Sequence, residues 1–122
     1  MRIACILLIA VAMASCGGSE PRKPEDLATA WVDAVNERDF SRACDLSIAS
    51  PESPDCLALL RAAFRSHRRS MAIEGMYLNR GEDPTQLGQF FVSGAPRELA
   101  RPLRLERAGG RVRVHFEIQA IR

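Results

Sequence analysis

Four cysteines, two histidines and a single tyrosine are the side chains here whose chemistry could be specific. Cysteines 5, 16, 44 and 56 could form disulfides, ligate a metal or carry a modification. A metal held by Cys44 and Cys56 needs further ligands. Only His67 and His115 are available, and neither stands at ligand spacing. Tyr77 with a buried Asp33, Asp45 or Glu74 could imitate an oxyanion hole built on a protonated acid, but nothing in the sequence brings these groups together. There is no nucleophile motif and no glycine-rich phosphate loop. The expectation is therefore no catalytic residue, no metal and no cofactor.

The first cysteines belong to a different kind of segment. Arg2 supplies a positive charge, and "IACILLIAVAMA", residues 3–14, is an unbroken apolar run. A membrane-spanning helix needs about 20 such residues. The run has instead the length of a signal-peptide core, followed by small residues at Ala14 and Ser15. The residues "MASC" then resemble the lipobox of bacterial lipoproteins, with Met13 where leucine is commonest. That resemblance implies cleavage before Cys16, a diacylglycerol thioether on its sulfur, and acylation (palmitate or a similar chain) of the new N-terminus. "GGSEPRKPED" behind it reads as a flexible tether. The division expected is residues 1–15 signal peptide, 16–23 lipidated cysteine and tether, and 24–122 one domain. The protein would sit on the extracytoplasmic side of the cell membrane, held by two or three acyl chains. Each buried methylene contributes about 0.8 kcal/mol, so one chain anchors only marginally and several anchor firmly.

The lipobox resemblance sorts the cysteines by fate. Cys5 leaves with the signal peptide and Cys16 takes lipid. Cys44 and Cys56 remain, an even pair in an oxidising compartment. The pairing expected is a Cys44–Cys56 disulfide closing a short loop, which would contribute roughly 3 kcal/mol. A buried free pair and a metal site stay as alternatives.

Hydrophobic residues make up 47% of the chain and charged ones 26%, which suits a packed core and argues against disorder. The net charge of +2 is too small to point to nucleic acid. The residues after the tether read as helices first and strands later. Pro24 suits a first helical position, Glu25 and Asp26 complement the dipole, and Leu27, Ala30, Trp31, Ala34 and Val35 form one apolar stripe to about Arg38. Asp39 can cap a short second helix carrying Phe40, Ala43 and Cys44. Ser53 as cap and Pro54 behind it would open a third helix ending near His67, with Cys56, Leu57, Leu60, Ala63 and Phe64 inward.

From Ser70 the period becomes extended. Strands are expected over 70–79 and over 87–94, with Gly88 at a bulge. "RPLRLERAGGRVRVHFEIQAIR" then alternates on both sides of Gly109-Gly110, a two-residue hairpin signal. The turn sets the register: Arg107 faces Val112, Glu106 faces Arg113, Leu105 faces Val114 and Leu103 faces Phe116. The fold class expected is α+β, with three N-terminal helices packed on a curved antiparallel sheet of about four strands.

"AWVDAVNERDFSRACDL", a cysteine loop, a third helix and a run of strands together resemble the nuclear-transport-factor-two-like, cystatin-like cone fold, in the form found in small bacterial lipoproteins. The resemblance covers about residues 25–122. It implies an apolar pocket between sheet and helices, and a homodimer through the outer sheet face. The family holds SnoaL-type polyketide cyclases and ketosteroid isomerases as well as non-catalytic binding modules, and fold alone does not choose among them. Hairpin alternation puts His115 on the outer side of the sheet, away from such a pocket. The function expected is a lipid-anchored, non-catalytic envelope module that binds a small apolar ligand or an envelope protein. The alternative is a SnoaL-like cyclase or isomerase acting on a small apolar substrate. "RSHRRS" is the densest basic cluster, and Arg65, Arg68 and Arg69 are the residues expected to touch an anionic surface, with Arg97, Arg101 and Arg104 extending the patch.

Overall fold

The computed structural model describes residues 23–48, 55–79 and 84–119. The expected signal peptide, Cys16 and nearly all of the expected tether lie outside them, as do Ser53 and Pro54. Among the described residues no helix is long and apolar enough to cross a membrane.

Three helices precede four strands in the described chain: α1 Pro24–Asn36, α2 Phe40–Asp45, α3 Cys56–Ala63, β1 Ala72–Leu78, β2 Gln86–Ser93, β3 Leu103–Ala108 and β4 Arg111–His115. The architecture is α+β. The strands form one open antiparallel sheet in sequence order.

α1 begins as its proline and acidic first turn require, and it buries Leu27, Ala28, Trp31, Val32, Ala34 and Val35. It stops at Asn36 because two residues later the backbone turns left-handed, at Arg38 with φ 64°. Asn36 then leaves the helix pattern to serve the sheet. Its Nδ2 donates to Met71 O at 3.0 Å and its Oδ1 accepts from Met71 N at 2.8 Å, a two-point clasp on the entry to β1. Asp39 caps α2 through Arg42 N, as its position suggests. The cap of α3 is a correction: Asp55, not Ser53, accepts from Ala58 N at 3.0 Å. Asp is as good a cap as Ser.

α3 also ends earlier than expected, at Ala63 rather than near His67. Past Ala63 the bonding tightens to three-residue steps, Arg65 N to Ala62 O and His67 N to Phe64 O, and Arg38 donates to the carbonyls of Phe64 and His67 in the segment that follows. "RSHRRS" therefore lies beyond the helix, in the connection to β1.

Cys44 and Cys56 are joined by a disulfide across 12 residues, with Cα atoms 5.9 Å apart. It fastens α2 to the first residue of α3. Trp31, Phe90, Leu27, Leu60, Leu99, Leu103, Leu105 and Val114 are the large fully buried side chains between helices and sheet. Trp31 keeps its polar end satisfied: Nε1 donates to Ser47 Oγ at 2.9 Å, and Ser47 donates onward to Ala43 O at 2.7 Å. The ring lies 5.7 Å from that of Phe116.

In the sheet, Arg107 pairs Val112, Glu106 pairs Arg113 and Leu105 pairs Val114, the register that the Gly-Gly turn dictates. Both glycines have positive φ, 59° and 79°, which a two-residue turn matching strand twist demands. The ladder stops at Arg104–His115, one step short of Leu103 and Phe116. A bulge falls beside Gly88, at Leu87, where the β2–β3 register slips between Gln86 and Gly88. A Cβ on Gly88 would stand 2.2 Å from Tyr77 O, so only glycine lets β1 approach. β1 carries a second slip at Glu74. The outer edge of β4 is not bare: Val114 N donates to Leu46 O and Ile48 N to Val114 O, so the chain leaving α2 lies along it. Beyond the hairpin, residues 98–100 pair with 117–119.

Candidate functional site

Strand alternation divides the sheet into two chemistries. Phe90, Val92, Leu103, Leu105, Val112 and Val114 point to the helices and are buried. The other face carries a row that crosses all four strands: Tyr77 pairs Gln89, Gln89 pairs Arg104, and Arg104 pairs His115. Glu106 and Phe91 belong to the same outer face, one step along their strands.

Three of these groups converge with a fourth from beyond β4. His115 Nδ1 lies 3.0 Å from Glu106 Oε2, and Arg104 Nη2 lies 3.2 Å from Glu117 Oε2. Arg104 Nε is 3.7 Å from Glu106 Oε2. Arg104 Nη2 is also 3.1 Å from His115 Nδ1. A guanidinium only donates and an ionised carboxylate only accepts. One nitrogen cannot both donate to Glu106 and accept from Arg104. The consistent assignment is Nδ1–H donating to Glu106, with Arg104 spent on the two carboxylates. In the neutral ring Nε2 then carries the lone pair and is left to accept a hydrogen bond.

His115 and Arg104 line a solvent-open cleft of about 400 Å³ with Gln89, Arg101, Glu117 and Gln119. Its lining is polar, and most of its charges are matched within the cluster. Hairpin alternation alone assigns the face of His115. The partners Glu106 and Glu117 were missed, although Glu106 is on the same face by parity and could have been read from the same alternation. Glu117 could not, because it lies past the last ladder pair.

A second cleft of about 460 Å³ opens between the end of α3 and the turn after β2. Arg65, Ser66 and His67 form one wall, and Pro96, Arg97 and Glu98 the other. The walls are pinned together by His67 Nε2, which donates to Gly94 O. His67 also stands edge-on to Phe64, ring centroids 5.6 Å apart. Its role in the fold is this cross-wall bond rather than a charge at the helix end. Arg65 and Arg97 both line this cleft, whereas Arg68 and Arg69 are exposed beside it on the chain. Arg101 and Arg104 line the other cleft and do not extend this one.

The remaining sequence candidates are scattered. Tyr77 is 68% exposed, and Asp33, Asp45 and Glu74 are all exposed. No hydrogen bond joins Tyr77 to any of them. Among the described residues no group of three His, Cys, Asp or Glu side chains is placed to hold a metal ion. Cys44 and Cys56 are spent on each other. No protein-family model matches this sequence, and no curated protein matches it.

Proposed function

We propose that this protein is a lipid-anchored module of the cell envelope, attached through acyl chains on Cys16, that works by contact at its surface and catalyses no reaction. Its domain would be a member of the nuclear-transport-factor-two-like cone folds, facing the extracytoplasmic side. Two observations support the reading. The Cys44–Cys56 disulfide suits an oxidising compartment. The observation that favours surface contact over an enclosed small ligand is the packing between helices and sheet, where Trp31, Phe90, Leu103 and Leu105 each have 0% exposure. Where the family resemblance implies an apolar pocket, these side chains occupy the space.

Arg65, Arg68 and Arg69 supply cations for an anionic partner surface, and the outer sheet face offers Tyr77 and Phe91 for a homodimer. The competing reading, a SnoaL-like cyclase or isomerase, draws on the His115–Glu106 pair. That pair lies in a polar cleft on the outer face, away from the apolar interior such a substrate would seek.

Fractionation of cells making wild type and Cys16→Ala tests the anchor. Wild type should sediment with membranes and carry the mass of its acyl chains, and the variant should do neither. A variant that stays in the membrane with unchanged mass sinks the proposal. Native mass spectrometry of gently extracted protein tests the rest: a stoichiometric small apolar ligand, beyond the covalent lipid, would overturn surface contact as the working mode.

A further inference from the structure

We propose that the cleft between the end of α3 and the turn after β2 is a binding site for a phosphate group, with Arg65 and Arg97 as its two cationic walls. The proposal stands on the cleft itself and does not depend on the lipid anchor.

Four features point to it. First, Arg65 and Arg97 come from separate elements, yet the fold brings both to one concave site of about 460 Å³. Second, neither guanidinium forms an ion pair or a hydrogen bond among the described residues. Arg104 in the other cleft, by contrast, is engaged by Glu106 and Glu117. An arginine fork presents parallel donors that fit phosphate oxygens, and the two unspent arginines line one cleft. Third, the walls are preorganised. The His67–Gly94 bond ties them together, and Arg38 holds the Phe64–His67 segment from behind.

The fourth feature removes an objection. The C-terminus of a helix carries negative partial charge and should repel an anion. Here Arg38 occupies the carbonyls of Phe64 and His67, so the cation already covers that end. Ser66 adds a hydroxyl to the lining, and the exposed Arg68 and Arg69 raise the local potential for an approaching anion. Glu98 is the one acid in the lining.

The same phosphate chemistry is offered by a phospholipid headgroup and by a free phosphate, and two arms separate them. Both use the full chain carrying Cys16→Ala, so that acylation does not itself cause membrane binding. In the first arm the protein is co-sedimented with phosphatidylglycerol–phosphatidylcholine vesicles. In the second, inorganic phosphate is titrated in while melting and vesicle binding are followed.

At about 1 kcal/mol per basic residue near an anionic surface, Arg65→Gln with Arg97→Gln should lower vesicle affinity about thirtyfold. The matched control, Arg101→Gln with Arg107→Gln, removes the same charge elsewhere and should lower it severalfold less. Millimolar phosphate should raise the melting temperature of the parent and not of the Arg65/Arg97 variant. Phosphate-dependent stabilisation without vesicle binding supports the site with a free phosphate as its source. Vesicle binding that phosphate competes away supports it with a headgroup as source. Equal losses in the two double variants, or no phosphate response in the parent, overturns the proposal. All four arginines are exposed or line surface clefts, and unchanged circular dichroism will confirm that each variant is folded.

Discussion

Phe90 and Phe91 are neighbours on β2 with the same side chain, and they live in different environments. Phe90 points to the helices and is 0% exposed, whereas Phe91 points outward and is 36% exposed. The whole sheet repeats this division. The helix side is apolar and packed, and its polar atoms are paired, as with Trp31 and Ser47. The outer side carries Tyr77, Gln89, Arg104, Glu106 and His115, whose charges are balanced against each other at the surface. Apolar packing is concentrated on one face and polar and charged groups on the other. The charges teach a second lesson. Counting arginines does not locate a site, since Arg104 is matched by carboxylates and Arg65 and Arg97 are not.

The sharpest way to break the comparison is to truncate its inner half. Phe90→Ala should cost about 3–5 kcal/mol in chemical denaturation, because the removed ring leaves a cavity that fixed neighbours cannot close. A cost below about 1 kcal/mol would mean that the inner face is not the stabilising one. Next comes the disulfide on the helix side. Cys44→Ser with Cys56→Ser should lose roughly 3 kcal/mol, measured against the oxidised parent, since the unfolded chain regains the freedom of the loop. Reductant should then leave the variant's melting temperature unchanged while lowering that of the parent.

Asn36→Ala should cost about 2 kcal/mol, because the change leaves Met71 N and O without the partners that set the start of β1. Hydrogen exchange at Met71 should quicken in that variant. On the outer face the effects shrink. Glu106→Gln should cost about 1 kcal/mol or less, as partly exposed ion pairs do, while shifting the ring resonances of His115. Phe91→Ala should change stability by about 0.5 kcal/mol in a monomer. A larger loss that grows with protein concentration would show that a second copy covers this face.

Much of this was legible one residue at a time. Pro24 and the acids behind it open α1, Asp39 caps α2, and the paired glycines set the β3–β4 register, because caps and tight turns depend on local backbone geometry alone. The bulge beside Gly88 was legible for the same reason. The cap of α3 was not, since "SPDC" offers two caps and only the packed structure chooses Asp55. The early end of α3 was hidden too, and the side chain that holds the segment after it, Arg38, lies far away in sequence. The candidate sites suffered most. "RSHRRS" looked like one patch with Arg97, Arg101 and Arg104 attached, yet the fold sends Arg97 to join Arg65 and turns Arg101 and Arg104 toward another cleft.

By itself the sequence determined the starts of α1 and α2, the hairpin register and the inner and outer faces of the strands, since periodicity and turn chemistry act over a few bonds. It also singled out Cys44 and Cys56 once Cys16 is assigned to lipid. Only the tertiary structure decided which charges meet. Arg104 meets Glu117 past the last ladder pair, and Arg65 and Arg97 line one cleft although 32 residues separate them, and Coulomb and hydrogen-bond energies depend on distances through space and not on separation along the chain.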